Sequence, residues 1–523
     1  MGLVGGGGRR GPRRAPTLIV LCAALLGACA PAGGRADAPT TSSGAPGAGA
    51  SSPTTSSSTT TTTVVEPPVT PVQWTPCGDL LCGTVAVPLD YDQPQLGTIQ
   101  IALAMHRATD PAQRIGSLVI NPGGPGVSGV NDLPAELGVL TPELLARFDI
   151  VEFDPRGVQR SSPVECSATS ASSSSSTPGP LPDPVPSTTA AQLALLTDDQ
   201  EYAAQCESVS GKVLPFVGTV DSARDLDRIR QALGDPQLTF FGHSYGTLLG
   251  ATYAEMFPTH VRAMVLDGAI DPAMSTEQMV VEQSEGFEAV LDDFFSWCVS
   301  SGCPWHPAGG ASAASLLALI AQSRSQPLPA GAGRTAGPGA FYYAALSALY
   351  ARSYWPTLGN ALAEAAAGNG AGVLAMADSY VTQGSSNAQD AETAIDCLDH
   401  PVAKGSSSIP DLASQAAVNA PFFGPLLAWS EATCAVWPVA ASRTPAPTTA
   451  VGSPPILVVG ATKDPATPYV WAQRLAGELQ HGELVTWQGE NHVAYYYSAC
   501  IRAIDQAYFV QGTLPAPGTV CND

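Results

Sequence analysis

The chain has 523 residues and a formal net charge of −22, with 45% hydrophobic and only 13% charged residues. That composition excludes a disordered chain, and no basic patch in its body would hold nucleic acid. The length allows one large domain with a sizeable insertion, and an acidic surface would serve solvation or suit a cationic substrate terminus.

The N-terminus is predicted to be a targeting segment. Arg9, Arg10, Arg13 and Arg14 form a basic region, followed by an apolar run from Thr17 to Ala28 that is too short for a permanent membrane span. Leu26-Gly27-Ala28-Cys29 resembles a bacterial lipobox, in which the cysteine becomes the lipidated first residue. The expectation is a lipoprotein-type signal over 1–28, a lipid on Cys29 and a chain anchored at the outer face of the cell membrane or in the envelope, possible secretion included. An ordinary secretory signal with a chance cysteine is the alternative. The paired arginines hint at a twin-arginine route, although the motif is incomplete. Residues 29–73 are rich in Ala, Gly, Pro, Ser and Thr and read as a flexible tether, since the run Ser51 to Thr63 offers nothing to bury.

The folded part is expected to begin near Trp74. Gly83 to Leu89 and Thr98 to His106 read as an opening pair of strands. Ser117 to Asn121 is a third, stopped by Pro122-Gly-Gly-Pro-Gly126, and Phe148 to Phe153 a fourth, stopped by Asp154-Pro-Arg-Gly157. Ser167 to Thr189 reads as a polar loop. A helix is predicted over Thr219 to Leu233, then the strand Leu238 to Gly242, the helix Thr247 to Phe257 and the strand Val261 to Leu266. Residues 273–445 change character, with helical spacing in Glu282 to Trp297 and Ala340 to Tyr350, and read as a helical cap. Strand and helix patterns return at Pro455 to Gly460, Trp471 to Leu479, Glu483 to Trp487 and Ile501 to Val510. The expected organisation is a core over 74–272 and 446–523, with a mostly parallel sheet between helices and a cap inserted over 273–445.

Beyond Cys22 and Cys29, ten cysteines remain. An exported chain favours disulfides, and pairing of neighbours gives Cys77–Cys82, Cys166–Cys206, Cys298–Cys303, Cys397–Cys434 and Cys500–Cys521. No Cys-x-x-Cys or His pair has zinc-ligand spacing, so a zinc site is not expected, and no cofactor is called for.

The chemistry is concentrated in Leu238-Thr-Phe-Phe-Gly-His-Ser-Tyr-Gly246. Gly-x-Ser-x-Gly alone is a weak signal. Between an apolar strand and a helix rich in small residues it becomes a nucleophile elbow, in which Ser244 stands clear of the backbone. A serine hydroxyl needs a base. Of seven histidines, His492 follows the last expected strand directly, at the sheet edge where catalytic groups gather. Asp464, just past the preceding strand, would orient it, with Asp267 and Asp271 as rivals. The order Ser244, Asp464, His492 is that of α/β-hydrolases. The backbone N–H of Tyr245 and the turn at Gly123 and Gly124 are the expected oxyanion donors.

Asn121-Pro-Gly-Gly-Pro-Gly126, Asp154-Pro-Arg-Gly157, Gly242-His-Ser-Tyr-Gly246, Asp464-Pro-Ala-Thr-Pro468, Asn491-His492 and the tail from Gly512 to Cys521 together resemble the tripeptidyl aminopeptidase group of secreted actinobacterial α/β-hydrolases, related to proline iminopeptidases. Two positions depart from the iminopeptidase pattern: Asn121, where His is common, and Asn491, where Gly often precedes the base. The resemblance implies an exported serine aminopeptidase, without cofactor, that releases short peptides from free N-termini. Such an enzyme must bind an ammonium, and Glu277, Glu282, Glu285 and Glu288 at the start of the cap are the expected partners. A carboxylesterase or lipase-like hydrolase on the same fold, or a non-catalytic surface lipoprotein, are the alternatives. The implied partners are a peptide or protein substrate and the membrane, not nucleic acid.

Overall fold

The computed structural model describes residues 68–167, 181–381, 387–402 and 405–523. The expected signal segment, Cys29 and the tether up to residue 67 lie outside the described residues. Among the described residues no helix is long and apolar enough to cross a membrane.

A sheet of ten strands organises the core. The strands are β1 (Thr75–Cys77), β2 (Leu80–Pro88), β3 (Thr98–His106), β4 (Gly116–Asn121), β5 (Phe148–Phe153), β6 (Leu238–His243), β7 (Val261–Asp267), β10 (Ile456–Ala461), β11 (Gly482–Trp487) and β12 (Val520–Cys521). A separate two-stranded ribbon, β8 (Leu328–Pro329) and β9 (Thr335–Ala336), belongs to the cap. The order is β1-β2-β3-β5-β4-β6-β7-β10-β11-β12. The opening strands pair antiparallel up to the β3–β5 contact, and all later pairs are parallel.

The apolar runs explain this arrangement. Strands β5, β6 and β10 are buried along their whole length, as strands covered on both faces must be. Alternate residues feed two cores. Val119, Phe240, Met264 and Val458 pack with Leu226, Leu249 and Leu475 on one face. Ile120, Phe241, Val265 and Val459 pack with Leu133, Leu144, Ile501 and Phe509 on the other. This is the α/β-hydrolase architecture.

Between β7 and β10 the chain builds a helical cap with its own core of Phe287, Phe294, Trp305, Phe341, Trp355 and Phe423. Its longest helix, Thr276–Ser301, starts with Ser275 accepting the N–H of Gln278 and ends at Gly302 in the left-handed conformation. A second excursion, between β5 and β6, joins the cap. Leu181 and Val185 pack on the cap core, and Arg324 pairs with Asp183 at 2.5 Å. The helix Thr189–Ser210 follows, and Asp199 accepts from Thr433 at 2.8 Å. The sequence predicts a polar loop over Ser167 to Thr189 and assigns no element to residues 190–210, because that helix is weakly amphipathic and takes its place from tertiary contacts.

Among the described residues five disulfides join Cys77–Cys82, Cys166–Cys206, Cys298–Cys303, Cys397–Cys434 and Cys500–Cys521. Disulfides on this scale belong to an oxidising compartment, and the chain is an exported protein.

Candidate active site

Ser244 sits between β6 and the helix Tyr245–Met256 with φ 54° and ψ −122°, a conformation uncommon for a residue with a side chain. Two glycines make the turn possible. A Cβ on Gly242 would lie 2.4 Å from the carbonyl oxygen of Gly246, and one on Gly246 would lie 2.6 Å from that of Asn121. The Ser244 N–H donates to the Asp267 carbonyl at 3.0 Å, and the Thr247 N–H and hydroxyl close on the Ser244 carbonyl at 2.8 and 2.6 Å.

The turn after β4 lies against this elbow. A Cβ on Gly123 would come within 2.9 Å of Ser244 Cβ and 3.3 Å of the Tyr245 nitrogen. The Gly123 N–H donates to Asn121 Oδ1 at 3.2 Å, so that N–H holds the turn. Gly124 and Tyr245 line the same cavity as Ser244. Gly126 packs as tightly on the cap, where an added Cβ would stand 2.3 Å from the Ala388 carbonyl oxygen.

His492 Nδ1 lies 2.9 Å from both carboxylate oxygens of Asp464. Asp464 Oδ1 also accepts the N–H groups of Ala466 and Thr467, each at 2.9 Å, which anchors the carboxylate beside the imidazole. Both side chains are buried. His492 Nε2 has no hydrogen-bond partner among the described residues. An imidazole whose Nδ1 faces a carboxylate keeps Nε2 as the acceptor a general base needs. The cap holds this loop: the His492 N–H donates to the Tyr350 carbonyl at 3.0 Å, and the Arg352 N–H to Asn491 Oδ1 at 2.8 Å. Of the rival carboxylates, Asp267 accepts the N–H groups of Ala494 and Tyr495 at 3.0 and 2.7 Å, and Asp271 pairs with Arg474 at 3.3 Å. His243 points away from the elbow's open side, buried, with Nδ1 2.9 Å from the Tyr496 hydroxyl and its pKa lowered by burial to about 3.

Ser244, Tyr245 and Gly124 open into a cavity beneath the cap. Its apolar wall includes Met279, Phe287, Tyr343, Tyr350 and Leu426, and its polar wall includes Glu392, Asp396 and Glu431. Burial, with the neighbouring acids Glu392, Glu431 and Asp399, holds the Asp396 carboxyl well above its usual range. Burial and Glu277 push Glu431 up to about 8. A cation bound beside these carboxyls would favour their ionised form and draw the raised values back down.

The glutamates expected from the sequence stand elsewhere. Glu282 accepts from Trp471 Nε1 at 2.6 Å and pairs with Arg474. Glu285 accepts from Asn419 at 2.7 Å, and Glu288 takes the N–H groups of Phe422 and Phe423, both at 3.1 Å. Glu277 does not line the cavity, and its charge helps to raise Glu431. The reason is helical geometry. On Thr276–Ser301 the cavity face is Met279, Gln283 and Phe287, at four-residue steps, and residues 282 and 285 fall off that face. The acids that do line the cavity could have been found from Glu392 and Asp396, an i,i+4 pair beside Cys397.

A family description, "TAP-like protein", matches residues 420–521. Serine protease Hip1 of Mycobacterium tuberculosis (strain ATCC 25618 / H37Rv) is 36% identical over 479 residues, covering 86% of this chain and 91% of its own. Carboxylesterase B of the same organism is 35% identical over 489 residues, covering 87% and 91%. Tripeptidyl aminopeptidase of Streptomyces lividans is 30% identical over 474 residues, covering 86% of each chain. With this likeness running through sheet, elbow and cap alike, the chain belongs to the tripeptidyl aminopeptidase-like family of α/β-hydrolases and is a serine hydrolase.

Proposed function

We propose that the protein is an exported serine peptidase that releases short peptides, tripeptides first among them, from free N-termini. The observation that carries this reading is a single cavity containing Ser244 at one wall and Glu392, Asp396 and Glu431 at another. The Ser244 hydroxyl attacks the scissile carbonyl and its proton passes to His492 Nε2, while Asp464 stabilises the imidazolium. The oxyanion is met by the N–H groups of Tyr245 and Gly124. His492 then protonates the leaving amine, and water, activated by the same nitrogen, hydrolyses the acyl-enzyme. The substrate's ammonium docks on the cavity carboxylates by charge-assisted hydrogen bonds. The reach from that dock to Ser244 fixes how many residues leave at each turnover. A lipid on Cys29 would hold the enzyme at the outer face of the membrane, with the following polar segment as tether.

The test is a comparison of a tripeptidyl amide with a short-chain ester, alongside labelling by a fluorophosphonate probe. The reading expects label on Ser244 and faster turnover of the amide carrying a free amino group. Turnover of the ester alone would instead make the protein an esterase, as one relative's name suggests. Absence of label on Ser244 would make it a binding protein. Cys29→Ser should release the chain from membranes.

A further inference from the structure

Two of the acid-bearing segments at the cavity are joined covalently. Cys397 follows Asp396 in the last turn of the helix Ala388–Asp399. Cys434 comes three residues after Glu431 and itself lines the cavity. Their disulfide links residues 37 apart in sequence, with Cα atoms 4.7 Å apart. Among the described residues no other disulfide contributes a cysteine to the cavity wall.

The other anchors of these segments lead in different directions. Asp399 closes the helix onto Thr219, whose N–H it accepts at 3.0 Å. Thr433 donates to Asp199 on the helix Thr189–Ser210 at 2.8 Å. Each bond fixes one segment to a third element, and the disulfide ties the two directly. Asp396 and Glu431 form no ion pair among the described residues. When ionised they repel each other, so without a tie the empty site relaxes by spreading. An ammonium bridging two carboxylates needs them at hydrogen-bond distance from one nitrogen, and a spread pair loses one of the two contacts.

We propose that the Cys397–Cys434 disulfide is a specificity-determining positioning element, which sets the gap between Asp396 and Glu431 and thereby creates the preference for peptides with a free primary ammonium. This rests on the reading of the cavity as an ammonium dock. The presence of this one bond makes the enzyme an aminopeptidase in particular, and without it the same triad acts on acylated and free N-termini with little distinction.

The measurement is a preference ratio: kcat/KM for a tripeptidyl p-nitroanilide with a free amino terminus over that for its N-acetyl derivative. In Cys397→Ala/Cys434→Ala the ratio should fall about tenfold or more, the effect of one lost charge-assisted contact, through a higher KM for the free peptide and a smaller change in kcat. Cys500→Ala/Cys521→Ala, which removes a disulfide remote from the cavity, should leave the ratio unchanged. Should the first variant fail to fold, the wild-type enzyme is partly reduced, and the ratio is followed against alkylation of Cys397 and Cys434 by mass spectrometry. The expected result is a ratio that falls in step with that alkylation. A large wild-type ratio that survives loss of the disulfide overturns this proposal alone. A wild-type ratio near one overturns the ammonium dock itself.

Discussion

Two sets of three carboxylates stand near the nucleophile elbow, and they differ in what can reach them. Glu392, Asp396 and Glu431 open into the cavity that contains Ser244. Asp132, Glu136 and Glu152 are sealed between the helix Gly129–Glu136 and strand β5, with carboxylate oxygens within 4.8 Å of one another. The Tyr496 hydroxyl connects this second set to the elbow, 3.2 Å from Glu136 and 2.9 Å from His243. Burial pushes Asp132 up to about 6 and Glu136, also facing Asp132, up to about 8, and it holds Glu152 well above the usual range. Among the described residues neither oxygen of Glu152 has a hydrogen-bond partner. Mutual repulsion and desolvation act on both sets alike. The first can be relieved by a substrate's cation, which turns strain into affinity. The second is relieved by protons, which turns it into a pH-dependent loss of stability.

The largest expected effect belongs to neither set. Ser244→Ala or His492→Ala should lower turnover on the order of 10⁴ to 10⁶ in steady-state kinetics, with both acid clusters intact. Retained turnover would place the chemistry elsewhere. Next, Asp396→Asn or Glu431→Gln should reduce kcat/KM for peptides with free amino termini by about 10- to 100-fold, while Glu152→Gln changes it by less than about twofold. The reverse pattern would break the comparison.

Two pH effects follow in size. The sealed acids have folded pKa values above their unfolded ones, so the folded state binds more protons between the two. Stability should therefore be greatest at low pH within the folded range and fall as pH rises from about 5 to 8, by up to a few kcal/mol. Calorimetry should show Tm falling across that interval in the wild type, and a flatter profile with a higher Tm at pH 8 in Glu152→Gln. A wild-type Tm that rises from pH 5 to 8 would contradict the assignment. The smallest effect is on binding. Glu431, pushed up to about 8 in the empty cavity, must ionise to hold an ammonium, so KM for free peptides should fall as pH rises from 6 towards 8. An N-acetylated substrate should show no such trend.

The placement of the candidate residues near the sheet was legible because each part is local. A strand, a turn that needs small residues and a helix leave a pattern around Ser244, and Asp464 and His492 lie directly after β10 and β11. The α/β-hydrolase order of strands and helices was legible for the same reason, as buried runs stand out between breaks. The substrate side was not. Which face of Thr276–Ser301 looks into the cavity depends on packing against Phe423 and the Asp464 loop, where a Cβ on Gly286 would meet the Pro465 carbonyl oxygen at 2.9 Å. Glu431 reaches the cavity through contacts between segments distant in sequence, for which no short pattern exists. The helix Thr189–Ser210 was missed because it has little amphipathic signal of its own and is held by Cys166–Cys206 and Asp199.

The most direct test is mass spectrometry of the products from one dodecapeptide, supplied with a free and with an acetylated amino terminus. The account predicts stepwise release of tripeptides from the free form, little cutting of the acetylated form and none by Ser244→Ala. Internal cleavage, or equal cutting of both forms, would contradict it.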